Sequence, residues 1–244
     1  MTYKVYLSTI IKPSKLAKGT GIIVIEPDDY TASEVKAIKN KGYKVLAYLS
    51  VGTIEKERSF YKKYKKYGLK PLKDWPDEVY ADVTRTAWRT FLVDRAKALK
   101  KKGFDGFWCD NVDVYEYYKS SKMFAAVKAV LKQIKAVGGY VMINGGQVFL
   151  RDCFSKGVTV KDFINGYTQE EVFSRIVSYK GKGTFRKQSK GETEQYQTTI
   201  IKSQGAGLDC FLLEYSTSKD VISLIEIWCE THKVSYYISK DVNL

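Results

Sequence analysis

The stretch WRTFLVDRAKALKKKGFDGFWCD, residues 88–110, contains the unit from which the fold is read. Trp88, Phe91, Leu92, Ala96 and Leu99 recur at helical spacing and form one apolar stripe. Gly103, in Lys102-Gly103-Phe104, stands where that helix must stop and turn. The apolar run from Gly106 then closes on Asp110, which suits a strand buried on both faces.

The same order repeats outward in both directions. Further helical stripes are Phe124, Val127, Leu131 and Ile134, then Val221, Leu224, Ile225 and Trp228, and turn glycines precede the next strands at Gly42 and at Gly138-Gly139. Predicted strands are Gly21 to Glu26, Lys44 to Ser50, Val79 to Val83, Gly106 to Asp110, Tyr140 to Asn144, Phe163 to Thr168, Asp209 to Tyr215 and Ser235 to Ser239. Eight strands alternating with helices predict a single α/β domain over residues 1–244, a (β/α)8 TIM barrel with its core at about 21–240. An open doubly wound sheet is the alternative, but no G-x-G-x-x-G or phosphate loop follows the first strand. Tyr3 to Ile10 remains a strand or arm outside this count, and Gly181 to Gly191 reads as a mobile loop, a lid over one rim.

Composition narrows the function. No stretch approaches the roughly 20 apolar residues of a membrane span, and Met1 to Ser8 lacks the pattern of a secretory leader, so an intracellular or already trimmed protein is expected. The scattered Cys109, Cys153, Cys210 and Cys229, with His232 as the single histidine, argue against zinc and for buried reduced thiols. The net charge of +14 comes from lysines spread among apolar residues at helical positions, which reads as solvated faces rather than a stripe for a polyanion.

Acids close the predicted strands: Glu26 and Asp28 after the first, Glu55 after the second, Asp82 on the third, Asp110 and Asp113 at the fourth, Glu170 and Glu171 at the sixth, Glu214 on the seventh. Barrel active sites collect at that end. Carboxylates there, with no histidine base or nucleophile-elbow serine, point to glycoside hydrolysis, which needs one carboxylic acid and one carboxylate. Taken singly, each acid has a plainer reading as a helix cap or loop ion pair.

Four ordered motifs then carry a resemblance. They are Ser50-x-Gly52-x-x-Glu55-x-x-Arg58; Trp75-Pro76-Asp77-Glu78 leading to Asp82; Gly103 to Tyr115 with its Asp110-Asn111-Val112-Asp113 ending; and Phe163 to Ser174 around Glu170. Together, over residues 21–240, the chain resembles glycoside hydrolase family 114, the endo-α-1,4-polygalactosaminidase-like barrels. The resemblance implies Asp110 as nucleophile or base and Glu170 as proton donor, with Glu171 in reserve.

Tyr48, Glu55, Arg58, Asp82, Asp113, Tyr115, Asn144, Glu171 and Glu214 are the expected substrate contacts, and Trp75 and Tyr167 also lie near the predicted mouth. The expected partner is a polysaccharide or oligosaccharide, acted on by a monomer with no cofactor, metal, nucleic acid or membrane span. A non-catalytic carbohydrate-binding barrel is the competing reading, and an anionic-polymer binder a more distant one.

Overall fold

A computed structural model describes residues 1–244. Eight parallel strands follow one another around a nearly closed barrel: β1 (Thr2–Tyr6), β2 (Gly21–Ile25), β3 (Tyr43–Ser50), β4 (Gly106–Asp110), β5 (Tyr140–Asn144), β6 (Gly166–Glu170), β7 (Asp209–Tyr215) and β8 (Ser235–Ser239). Helices α1 (Ala32–Lys39), α2 (Thr86–Lys102), α3 (Ser121–Ala136), α4 (Gln147–Ser155), α5 (Lys190–Gly205) and α6 (Lys219–His232) pack around it. Thr31, Ser120, Ser189 and Ser218 cap α1, α3, α5 and α6 with their hydroxyls, and Gly103 ends α2 in the left-handed conformation at φ 112°.

Two strands correct the predicted count. The Val79–Val83 run is not a barrel stave: Glu78–Ala81 is the middle strand of an antiparallel side sheet between Thr53–Glu55 and Gly68–Pro71. The eighth stave is instead the N-terminal arm, β1, which pairs with β2 from Thr2↔Gly21 to Tyr6↔Ile25. Its outward residues Thr2 and Lys4 are exposed, while Tyr3 and Val5 are buried. That alternation hides a barrel strand from a search for continuous apolar runs. The ring is drawn together where the Leu7 N–H donates to the Leu244 carbonyl at 2.8 Å.

The expected lid also folds differently. Ser174–Ser178 and Thr184–Lys187 form a β-hairpin, and Lys190 already begins α5.

Side chains alternate between two compartments. Tyr3, Val5, Ile22, Val24, Leu46, Tyr48, Trp108, Met142, Phe211, Leu213 and Tyr215 fill the barrel, while the alternate positions join a cluster of 49 buried residues beneath the helices. Trp108 donates its indole N–H to the Tyr3 hydroxyl at 3.0 Å, and that hydroxyl lies 3.0 Å from Thr168 Oγ1. This plug is the rigid floor of the site above it; removing an indole so deeply buried costs about 3–5 kcal/mol. The four cysteines are free and buried. No helix is long and apolar enough to cross a membrane.

Candidate active site

Inward positions in a strand recur every second residue. Following that parity up β3 to β7 leads from Tyr48, Trp108, Met142, Thr168 and Leu213 to Ser50, Asp110, Asn144, Glu170 and Tyr215, each the last residue of its strand. Five polar side chains thus meet at the carboxyl end of the barrel.

Asn144 joins the two acids. Its Nδ2 donates to Asp110 Oδ1 at 2.8 Å and to Glu170 Oε1 at 2.5 Å. The other Glu170 oxygen accepts the Tyr215 hydroxyl at 2.7 Å. Both amide hydrogens of Asn144 are committed to carboxyl groups, while its buried Oδ1 has no partner. Asn111, in the left-handed region at φ 61°, turns its own Nδ2 back to Asp110 Oδ2 at 3.3 Å, Ser50 Oγ at 3.1 Å and Thr53 Oγ1 at 3.0 Å. Gly52 is required beside this turn, because a Cβ there would collide with the Asn111 carbonyl.

The electrostatics separate the two acids. Burial pushes Glu170 up to about 8, and the negative charge of Asp110 adds to the rise against the Asn144 and Tyr215 hydrogen bonds. Burial also raises Asp110, opposed by hydrogen bonds from Asn144 and Asn111. Asp113, pushed up to about 6 chiefly by burial, accepts the Gly146 N–H at 2.7 Å. At neutral pH Glu170 therefore carries a proton, beside an Asp110 whose rise is opposed by its hydrogen bonds.

Above the pair opens a cleft of about 1380 Å³. Residues from the side sheet and its loop, from the segment after β4, from the hairpin and from α5 line it, including Trp75, Tyr80, Tyr117, Tyr118, Tyr179 and Tyr196. Six acidic side chains (Asp74, Asp113, Glu116, Glu170, Glu171, Glu192) face four cations (Lys70, Lys73, Arg175, Lys180) along its wall. The cleft is thus richer in acids than a chain of net charge +14 suggests.

The expected substrate contacts divide. Asp113, Asn144 and Glu171 line the cleft with Glu170, and Asp110 lies just below, bonded to Asn144. Glu171 adopts φ 58° and accepts the Ile176 N–H at 2.8 Å, so it anchors the hairpin while Glu170 meets Asn144.

Six others do not reach the cleft wall. Arg58 binds Glu26 through both terminal nitrogens at 2.8 Å and Glu55 through Nε, forming a buried ion cluster against α2. Tyr48 gives its hydroxyl to Glu55 at 3.0 Å. Asp82 accepts from the Thr84 N–H at 3.1 Å and from Arg85 Nε at 2.7 Å, a turn that leads into α2. Tyr115 is buried against Phe124 and Phe149 with its hydroxyl on Asp152 at 2.5 Å. Glu214 has the outward parity of β7 and is fully buried, accepting the Phe173 and Ser174 N–H groups at 2.9 and 3.0 Å.

Sequence reading passed over Tyr215 and Asn111. Parity with Phe211 and Leu213 would have selected Tyr215 over Glu214. Of the aromatics expected near the mouth, Trp75 lines the cleft while Tyr167 is buried in the core beneath the helices; Tyr80, Tyr117, Tyr118, Tyr179 and Tyr196 had no such signal, because only the tertiary fold brings the side sheet and the hairpin to the mouth.

Comparison with known proteins agrees with this architecture. The glycoside hydrolase domain of PelA from Pseudomonas aeruginosa superposes with a TM-score of 0.81 at 15% identity, covering 100% of this chain and 96% of that one. Ega3 of Aspergillus fumigatus, solved in complex with galactosamine, gives a TM-score of 0.75 at 19% identity, covering 100% and 92%. An uncharacterised protein of Deinococcus radiodurans is 30% identical over 105 residues, which cover 39% of this chain and 34% of that protein. One of Thermotoga maritima is 25% identical over 118 residues, covering 46% and 36%. The chain thus spans only about a third of the length of these two relatives. A model of glycoside-hydrolase family GH114 matches residues 2–243. The chain belongs to glycoside-hydrolase family GH114.

Proposed function

We propose that this GH114 glycosidase hydrolyses an O-glycosidic bond within an amino-sugar polysaccharide, an α-1,4-linked galactosaminan being the leading candidate, with Glu170 as general acid and base and Asp110 as nucleophile. The observation that carries this reading is the shared donor: one amide nitrogen, Asn144 Nδ2, within hydrogen-bond distance of both carboxyl groups.

Glu170, protonated at neutral pH, gives its proton to the departing glycosidic oxygen while Asp110 attacks the anomeric carbon. The Tyr215 hydroxyl and the Asn144 amide then stabilise the glutamate left ionised, which deprotonates the water that releases the glycosyl group from Asp110. Two oxygens bonded to one nitrogen lie no further apart than those two bonds laid end to end. That is short of the roughly 6.5–9.5 Å at which a water fits between the carboxyls of inverting enzymes. Retention of anomeric configuration is therefore expected.

The substrate class follows from the cleft. Aromatic faces suit the apolar faces of sugar rings, and the acids Asp113, Glu116, Glu171 and Glu192 suit ammonium groups on the rings. Ega3 was solved with galactosamine; here a galactosamine polymer is the first substrate to try.

The test is reducing-end release from de-N-acetylated α-1,4-galactosaminan, with neutral polysaccharides as controls. Glu170→Gln should lower kcat by roughly 10²–10⁴-fold and Asp110→Asn by roughly 10³-fold or more, both with unchanged melting. Full turnover in Asp110→Asn would remove it as nucleophile. Binding of the polymer without release by the wild type would make the protein a carbohydrate-binding barrel.

A further inference from the structure

The Trp75-Pro76-Asp77-Glu78 motif carries an acid that has no part in the cleft. Trp75 lines the cleft, but Glu78 lies behind it at the start of the middle strand of the side sheet, directly opposite Glu55 in register. Like charges so placed repel. Glu55 is compensated by Arg58, whereas Glu78 is partly buried, forms no ion pair and has a single hydrogen-bond partner, the Thr53 hydroxyl at 2.8 Å. A carboxyl group kept in such surroundings calls for an explanation beyond packing.

The partner supplies one. Thr53 Oγ1 lies 2.6 Å from Ser50 Oγ and 3.0 Å from Asn111 Nδ2, and Asn111 Nδ2 lies 3.3 Å from Asp110 Oδ2. Glu78 is therefore joined to Asp110 by an unbroken chain through Thr53 and Asn111. We propose that Glu78 is a positioning residue for Asp110, holding its Oδ2 through the Thr53 and Asn111 side chains.

Hydrogen supply decides which acceptors Asn111 can serve. Asn111 Nδ2 has two hydrogens for three acceptors: Ser50 Oγ, Thr53 Oγ1 and Asp110 Oδ2. When Glu78 is protonated, its O–H donates to Thr53 Oγ1, which turns its own hydrogen toward Ser50 Oγ. Both hydroxyl oxygens then have other donors, and an Asn111 hydrogen is left for Asp110. When Glu78 is ionised, it draws the Thr53 hydrogen to itself, and the freed Thr53 oxygen competes with Asp110 for Asn111. Ionisation also adds a negative charge on the Asp110 side of the barrel, which raises the cost of charging Asp110.

The surroundings favour the first state. Burial pushes Glu78 up to about 8, and the negative charges of Glu55, Asp110 and Glu57 add to the rise against the Thr53 hydrogen bond. The other groups facing this region are Tyr48, whose hydroxyl binds Glu55, and Arg58, engaged by Glu55 and Glu26. At neutral pH Glu78 is thus the donor that keeps Asn111 turned to Asp110.

The functional part of this inference rests on Asp110 being the nucleophile, so the experiment has a readout that needs no turnover. The Asp110 carboxyl carbon is followed by ¹³C NMR against pH in the wild type and in Glu78→Gln, and kcat and KM on α-1,4-linked galactosamine oligosaccharides are measured for both and for Glu78→Ala. In the wild type the Asp110 signal should show a second inflection where Glu78 titrates, and Glu78→Gln should abolish it. Glu78→Ala should lower kcat by roughly 10- to 100-fold with KM little changed. Glu78→Gln, whose amide still donates to Thr53 Oγ1, should recover most of that loss.

An Asp110 titration that is the same in the wild type and Glu78→Gln overturns the proposal, as does a kcat in folded Glu78→Ala within threefold of the wild type. Should Glu78→Ala fail to fold, the NMR comparison decides alone. Activity surviving in Asp110→Asn would instead overturn the nucleophile assignment, while the NMR coupling would still report on the Glu78 chain.

Discussion

At the residue scale, the chemistry rests on two carboxyl groups that would be alike in water. Burial and mutual repulsion push Glu170 up to about 8, while the Asn144 and Asn111 hydrogen bonds oppose the rise at Asp110. Because Glu170 must carry a proton to act as acid, kcat/KM should hold through neutral pH and fall as pH rises through about 8. The acidic limb should follow protonation of Asp110. Tyr215→Phe removes a donor that favours the charged form of Glu170, so its alkaline limb should move to higher pH while kcat drops by roughly 10-fold as the ionised glutamate loses support. A profile in Tyr215→Phe that overlays the wild type would separate Tyr215 from the proton donor. At this scale the sequence was legible for the meeting of Asp110, Asn144 and Glu170 at one barrel mouth, the first two through strand-end position and Glu170 through the resemblance of the Phe163 to Ser174 segment. It was not legible for Glu55, Arg58 and Glu214, since an acid facing the helix layer reads the same as one facing the mouth until the partner that neutralises it is known.

At the element scale, the mouth is built from two additions to the barrel, the side sheet and the hairpin, and the hairpin is pinned by a buried acid. Glu214 holds the hairpin through the N–H groups of Phe173 and Ser174 and through the Ser174 hydroxyl. An amide in its place supplies one acceptor oxygen and turns an NH₂ toward these donors. Glu214→Gln should therefore destabilise the fold by about 1–3 kcal/mol and speed hydrogen exchange first at Phe173, Ser174 and Ile176. Exchange that speeds up uniformly across the barrel would mean that Glu214 supports the core rather than the hairpin. This element was read as a loop because Gly181, Gly183 and its lysines carry turn signals, and the Ser174–Ser178 strand is too polar to show as a run. The opposite error affected Val79 to Val83, whose apolar run is equally at home in a half-exposed side sheet. Periodicity reports burial on two faces, not which layer buries them.

At the scale of the whole molecule, a chain of net charge +14 carries a cleft with six acidic side chains, Glu170 among them protonated, against four cations. Total charge could be counted from the sequence; its placement could not, because the side sheet, hairpin and α5 meet only in the folded barrel. The two fields act at different ranges. Beyond the cleft a polycationic substrate meets net repulsion, and within a few ångströms it meets acids. The Debye length falls from about 30 Å at 0.01 M salt to about 10 Å at 0.1 M, so added salt weakens the distant repulsion more than the close contacts. On α-1,4-linked galactosamine oligosaccharides kcat/KM should therefore rise with salt, by roughly 2- to 5-fold between 0.01 and 0.15 M, while the fully N-acetylated, neutral counterparts should show no such rise. A kcat/KM that falls with salt for the cationic substrate would mean that the cleft carboxylates govern capture as well as binding. Reversing Lys70, Lys73 and Lys180 to glutamate lowers the distant repulsion and adds acids to the cleft, so it should raise kcat/KM at low salt and flatten or reverse its rise as salt increases.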